Sequence, residues 1–99
     1  MSPAAPSNPA PAPGHQADPR RRARLRWRAR RGLLENDLVL QRFFERHEQT
    51  LTDQDVAGLD ALLDLPDNEL LDLILRRAEL HGALAEPAVA RVLEMLRAC

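Results

Sequence analysis

The chain contains no lysine and no tyrosine, and its single cysteine, Cys99, is the last residue. One cysteine cannot form an intrachain disulfide, so a disulfide-built secreted scaffold is excluded. Its expected state is an exposed thiol on a frayed end, with no redox role. The only serines, Ser2 and Ser7, stand near the N-terminus. The body therefore lacks a serine nucleophile, and no glycine-rich phosphate loop is present. His15, His47 and His81 are too scattered for metal-ligand spacing. No apolar run approaches the ~18 residues needed to span a bilayer. The basic start and apolar core of a secretory signal are missing, and prolines at 3, 6, 9, 11 and 13 would break the amphipathic helix of a transit peptide. These absences point to a bacterial cytoplasmic protein that inserts into no membrane, binds no metal and is not an enzyme.

Strand formers are equally scarce. Valine occurs at 39, 56, 89 and 92, isoleucine at 74, and threonine at 50 and 52. No segment alternates with period two, so the fold class is all-α. The aromatics are Trp27, Phe43 and Phe44, which leaves leucine to build most of the core.

Six of the eight prolines fall in the first nineteen residues, among alanine, serine, asparagine and glycine. That composition predicts a disordered Pro/Ala-rich tail over 1–17 and a helical domain over 18–99. Asp18-Pro19 opens a first helix, expected to run to about Arg31 and to turn at Gly32. A second runs from about Leu34 to Gln49, with Leu40, Phe43, Phe44, His47 and Leu51 on one face and His47 at the core edge. Thr52 and Asp55 have the spacing of a capping box. They open a third helix that turns Val56, Leu59, Leu62 and Leu63 inward. Asp67 is read as the cap of a fourth, buried through Leu70, Leu71, Ile74, Leu75 and Ala78 and ended by His81-Gly82. Glu86-Pro87 begins a fifth, with Val89, Val92, Leu93 and Leu96 inward. The short connections predict a compact five-helix bundle.

Net charge is −1, but it is distributed unevenly. Residues 1–32 hold eight arginines and one acid; residues 33–99 hold six arginines and fourteen acids. The arginines at 20, 21, 22, 24, 26, 28, 30 and 31 surround Trp27, a pattern that could bind nucleic acid through phosphate contacts and stacking. The attached acidic body would repel phosphate, and no nucleic-acid module accompanies the cluster. A solvated basic helix partly paired with the body accounts for it better. Directly after the cluster comes Arg30-Arg31-Gly32-Leu33-Leu34-Glu35. Here a guanidinium and a carboxylate flank a glycine whose missing side chain allows close backbone approach.

The run RLRWRARRGLLENDLVLQRFFERHEQTLTDQD, residues 24–55, resembles the SdhE-type FAD assembly factors of succinate dehydrogenase. The similarity rests on Trp27, Arg31-Gly32, Glu35, Asp37, Phe43-Phe44-Glu45 and Thr52-Asp53 in matching order and spacing. It continues more weakly from Leu62 to about Arg97. Three departures are visible: Leu73 stands where the family's fourth-helix motif has tryptophan, the last helix is short and ends without a polar tail, and the leader is longer. The resemblance implies a five-helix chaperone that promotes covalent FAD attachment to the flavoprotein subunit of succinate dehydrogenase, and of fumarate reductase as a relative. It implies no cofactor held stably by this chain and a monomer when free. Carried over residue by residue, Arg31 and Glu35 would contact the flavoprotein, Gly32 would allow close approach, and Arg30, Leu33 and Asp37 would line the same surface. The competing reading is a nucleic-acid-binding or antitoxin-type regulator that uses the arginine-rich first helix.

Overall fold

In a computed structural model, residues 14–99 are described; residues 1–13, with most of the expected tail, lie outside them. The chain forms α1 (Pro19–Arg28), α2 (Leu34–His47), α3 (Asp53–Leu63), α4 (Asp67–Ile74) and α5 (Pro87–Arg97). Short 3-10 turns occupy His15–Ala17, Glu48–Thr50 and Gly82–Leu84, and no strand occurs among the described residues. The all-α, five-helix reading is what the chain adopts.

Several helix starts follow their local sequence. The Asp18 carboxylate accepts from the Arg20 and Arg21 amides at 3.0 and 3.2 Å, with Pro19 at the first helical position. Both are standard ways of satisfying a helix start. Thr52 and Asp55 close a reciprocal capping box at 3.0 and 3.1 Å. The second carboxylate oxygen of Asp55 accepts from Arg91 Nε at 2.9 Å, which ties the start of α3 to α5.

The core is leucine-rich, as the shortage of aromatics requires. Leu40, Phe43, Leu51, Leu59, Leu62, Leu70, Val92, Leu93 and Leu96 are buried. Phe43 meets Phe44 edge-on at 5.6 Å between ring centroids. His47 lies 5.3 Å from Phe43 and is half-buried, the core-edge position its spacing suggested. The most extensive helix contact is between α3 and α5. A Cβ built on Gly58 would sit 2.4 Å from the Ala88 carbonyl oxygen. Helices α3 and α5 therefore touch backbone to backbone at Gly58, a constraint the sequence reading did not single out.

Two helix ends differ from expectation. Helix α1 stops at Arg28, three residues early, with the Ala29 amide donating to the Leu25 carbonyl at 2.9 Å. Gly32 does not take the left-handed conformation expected of a helix-ending glycine; among the described glycines only Gly82 does, at φ 62°. Helix α4 ends at Ile74 instead of reaching His81, because Arg76 adopts φ 63° and the Arg77 amide turns back to the Asp72 carbonyl at 2.8 Å. The buried stripe is consequently Leu70, Leu73 and Ile74, while Leu71 is half-buried and Leu75 and Ala78 are exposed. Leu73, at the family's tryptophan position, lies in the core and borders a cleft of about 250 Å³ with Leu65, Leu80 and Leu84. Cys99, expected as an exposed thiol, is half-buried and donates to the Met95 carbonyl at 3.3 Å. Burial pushes its thiol pKa up, which lowers its reactivity.

Gly14 to Ala17, placed in the tail by composition, are held against the domain. The His15 amide donates to Asp53 Oδ1 at 2.7 Å, and Gln16 Nε2 donates to the Glu48 and Leu51 carbonyls at 2.6 and 3.0 Å. The His15 side chain is buried. Desolvation lowers its pKa, and the nearby Arg21 and Arg22 charges lower it further against the opposing influence of Asp53 and Glu48.

Two predictions follow from this packing. Gly58→Ala should destabilise the fold by about 1–3 kcal/mol, since the obstacle is a backbone that flexes little; equilibrium urea unfolding checks it. A lowered histidine pKa means that the unfolded chain binds the proton more readily. The stability His15 contributes is thus present above about pH 6.5 and lost as pH falls below it. Urea titrations between about pH 7 and 5 should show a shallower decline for His15→Gln than for the unsubstituted chain.

Candidate functional site

The connection between α1 and α2 carries the Arg-Gly-x-x-Glu residues, and its geometry depends on Arg31. Only 12% of the Arg31 side chain is exposed. Its Nε donates to Asp67 Oδ1 at 2.6 Å, its Nη1 to the Leu63 carbonyl at 2.8 Å and its Nη2 to the Leu65 carbonyl at 2.5 Å. Leu63 is the last residue of α3 and Asp67 the first of α4. One planar fork thus satisfies carbonyls left over at a helix C-terminus and pairs with a carboxylate at the next helix N-terminus. Lysine, a point charge on a flexible stem, cannot reproduce that geometry.

Asp67 gathers the same junction from the other side. Its Oδ2 accepts from the Leu33 amide at 3.2 Å, and its Oδ1 also receives Asn36 Nδ2 at 3.3 Å. The Asp67 backbone carbonyl accepts a second bond from Asn36 Nδ2 at 2.8 Å. The expected role of Asp67 as a side-chain cap of its own helix is not what the structure shows. Pro66 takes the cap position without a side-chain bond, and the Asp67 carboxylate is drawn to Arg31 and the start of α2. A charge-assisted bond outcompetes a neutral amide for the same oxygens. The Arg31 hydrogen bond, aided by Asn36 and Leu33, holds the Asp67 pKa below its ordinary value.

The remaining motif residues are arranged around this brace. Asp37 accepts from the Arg31 amide at 3.2 Å and from Gln41 Nε2 at 2.9 Å, so it shapes the turn while staying half-buried. Leu33 is half-buried; Gly32 and Glu35 are exposed. A Cβ on Gly32 would meet only Asp67 Oδ2, at an ordinary 3.7 Å. Neither backbone conformation nor internal packing requires glycine there. Arg30 is exposed and stacks on Trp27, with its guanidinium carbon 5.0 Å from the ring centroid. Arg30 and Asp37 line a cleft of about 500 Å³ between α1 and α2, floored by Ala29, Leu40 and Phe44.

Of the six residues assigned to the surface, Gly32, Glu35 and Arg30 face outward, Leu33 and Asp37 are intermediate, and the Arg31 guanidinium points inward. Two members of the brace escaped the sequence reading in this role, Asp67 and Asn36. Asn36 had a usable signal: it precedes Leu40, Phe43 and His47 at i, i+4, i+7 and i+11, so it sits on the buried face. A polar residue there needs a partner.

Other arginines of the basic helix are paired with the acidic body. Arg26 meets Glu48 at 3.0 Å, and Arg28 spans Asp60 and Asp64 at 2.5 and 2.7 Å. No cluster of histidine, cysteine or acidic side chains suited to a metal ion occurs among the described residues. No described helix is long and apolar enough to cross a membrane.

Removing the Asp67 carboxylate would leave a mostly buried guanidinium without its counter-charge. Asp67→Asn should cost about 1–3 kcal/mol in urea unfolding at neutral pH. The folded-state pKa is depressed, so this stability is present above the ordinary carboxylate value of about 3.9 and lost as pH falls through the folded value. The difference between variant and parent should therefore shrink on acidification below about pH 4.

Comparison with known proteins gives a consistent result. A family profile described as "Flavinator of succinate dehydrogenase" matches residues 23–99. The chain is 62% identical over 84 residues to the FAD assembly factor SdhE of Ralstonia nicotianae, covering 85% of this chain and 88% of that protein. It is 34% identical over 83 residues to the protein of that name from Vibrio parahaemolyticus, covering 80% and 96%. The Acetobacter pasteurianus protein of that name is 35% identical over 75 residues, covering 75% and 69%. No solved structure matches. A braced Arg-Gly-x-x-Glu corner on a five-helix frame, matched over most of its length, places this chain in the succinate dehydrogenase flavinator family, the FAD assembly factors.

Proposed function

We propose that this protein binds the flavoprotein subunit of succinate dehydrogenase through the α1–α2 corner and promotes covalent attachment of FAD to that subunit. The flavoprotein of fumarate reductase, built for related chemistry, is a second client. The observation that carries this reading is the division of labour at the corner. Arg31 is committed to the internal brace, while Gly32 and Glu35 are presented outward on a rigid turn. Gly32 has no internal reason to be glycine, so what its small size serves is close approach by a partner.

FAD on this reading belongs to the partner, and the bond-making groups are the partner's. This chain contributes binding energy to one conformation of the subunit, the one in which the attacking side chain and the flavin are at reaction distance. Selecting a reactive arrangement accelerates a step without supplying a catalytic group. The free protein is a cytoplasmic monomer that holds no cofactor of its own. The pairing of Arg26, Arg28 and Arg31 with Glu48, Asp60, Asp64 and Asp67 supports this reading over nucleic-acid binding, because those charges are already neutralised within the fold.

Gly32→Arg should abolish binding to the flavoprotein subunit with helical content unchanged by circular dichroism. Gly32→Ala, which makes only an ordinary internal contact, should leave unfolding stability near that of the parent while weakening binding. Glu35→Ala should weaken binding by about 1–3 kcal/mol, the usual range for losing a charged hydrogen bond. In cells lacking the protein, in-gel flavin fluorescence of the subunit should fall and return with the intact gene but not with Gly32→Arg. Wild-type affinity of Gly32→Arg would remove the corner from the interface.

A further inference from the structure

The most exposed large apolar side chains of the described residues are Trp27 at 71%, Leu34 at 65%, Leu75 at 49% and Leu38 at 40%. Three of them lie between residues 27 and 38. Leu34 and Leu38 are one turn apart on α2, so they share a face, and it is the face opposite the buried Asn36, Leu40 and Phe43. Gln41 and Glu45 continue that outward face and are exposed. They also form one wall of the cleft floored by Ala29, Leu40 and Phe44. Leu34 and Leu38 therefore form an apolar ridge beside an apolar-floored groove. Neither leucine packs into the core, so neither contributes to what holds the bundle together.

We propose that Leu34 and Leu38 are the apolar anchors of the flavoprotein interface, seated on a patch of that subunit that is apolar at its centre and basic at its rim. This rests on the corner being the docking site. Leu34 lies between Gly32 and Glu35 in the chain, and Leu38 is about 6 Å further along α2 at helical rise. A partner of ordinary footprint, about 800 Å² on each side, cannot cover the corner without covering the ridge. The rim of the ridge carries Glu35, Asp37 and Glu45 with the exposed Arg42 among them, and this net acidic border fits Arg and Lys on the partner. The inward commitment of Arg31 sharpens the point. With that guanidinium used by the fold, desolvation of the two leucines adds to the charged contact of Glu35 as a main source of docking energy, and the other rim charges set orientation.

The test titrates purified flavoprotein subunit against the full chain, against Leu34→Ser/Leu38→Ser, and against Leu75→Ser as an exposed leucine remote in sequence from the corner. Circular dichroism verifies that these surface changes leave helicity intact. The double variant should lose affinity on the order of 30-fold or more, the effect of truncating two anchors, with Leu75→Ser unchanged. Glu45→Lys, outside the Arg-Gly-x-x-Glu motif, should weaken binding at low salt and less so at high salt. If the full chain and the double variant bind alike, the anchor assignment is overturned while the corner reading stands. If the full chain itself does not bind, both fail. A dimer in light scattering that the double variant abolishes would reassign the ridge to self-association and overturn the proposal.

Discussion

The bond between Arg31 and Asp67 organises this molecule out of proportion to its size. Five short helices joined by tight turns leave many backbone groups without partners at their ends, and water can satisfy only those on the surface. At the junction of α3, α4 and the start of α2, one guanidinium and one carboxylate satisfy much of that demand together. The guanidinium takes two carbonyls beside the end of α3, and the carboxylate takes the Leu33 amide and Asn36. Each partner is half or more shielded from water, so each depends on the other. A motif that reads as a gripping surface is built around a structural ion pair.

This arrangement explains how so small a chain presents a defined surface. A turn held only by its own backbone would fray, and ordering it on contact with a partner would subtract from affinity. Here the turn after α1 is tied to α4 through Asp67 and to α2 through Asp37, so the fold itself sets the path of the chain through Gly32. The acidic body has a related effect on the basic helix. By pairing with Arg26 and Arg28 it holds α1 in place, and it reduces the field that would otherwise draw phosphate.

Much of the fold was legible because its signals are local. The Asp18-Pro19 start, the Thr52–Asp55 box and the Val89, Val92, Leu93, Leu96 stripe each need only a few neighbouring residues to make sense. Most errors fall where distant parts of the chain compete for one residue. Asp67 has the local credentials of a helix cap, yet an arginine thirty-six positions earlier takes its carboxylate. One error is local: the α4 pattern could have continued past Leu75, but Arg76 enters the left-handed region and turns the chain. His15 has the composition of a tail around it, and the hydrogen bonds that order it come from Asp53, Glu48 and Leu51.

By itself the sequence determined the all-α class, the positions of the five helices, most of their buried stripes and the family to which the chain belongs. Those depend on periodicity, on capping chemistry within four residues and on motif spacing, all of which are written along the chain. Only the tertiary structure decided which motif residues face outward. Orientation depends on what each side chain meets across the fold, and the strongest acceptors for Arg31 lie on α3, α4 and the turn between them. The same contacts leave Gly32 with no internal duty, and they leave Leu34 and Leu38 on a face that no other described element covers.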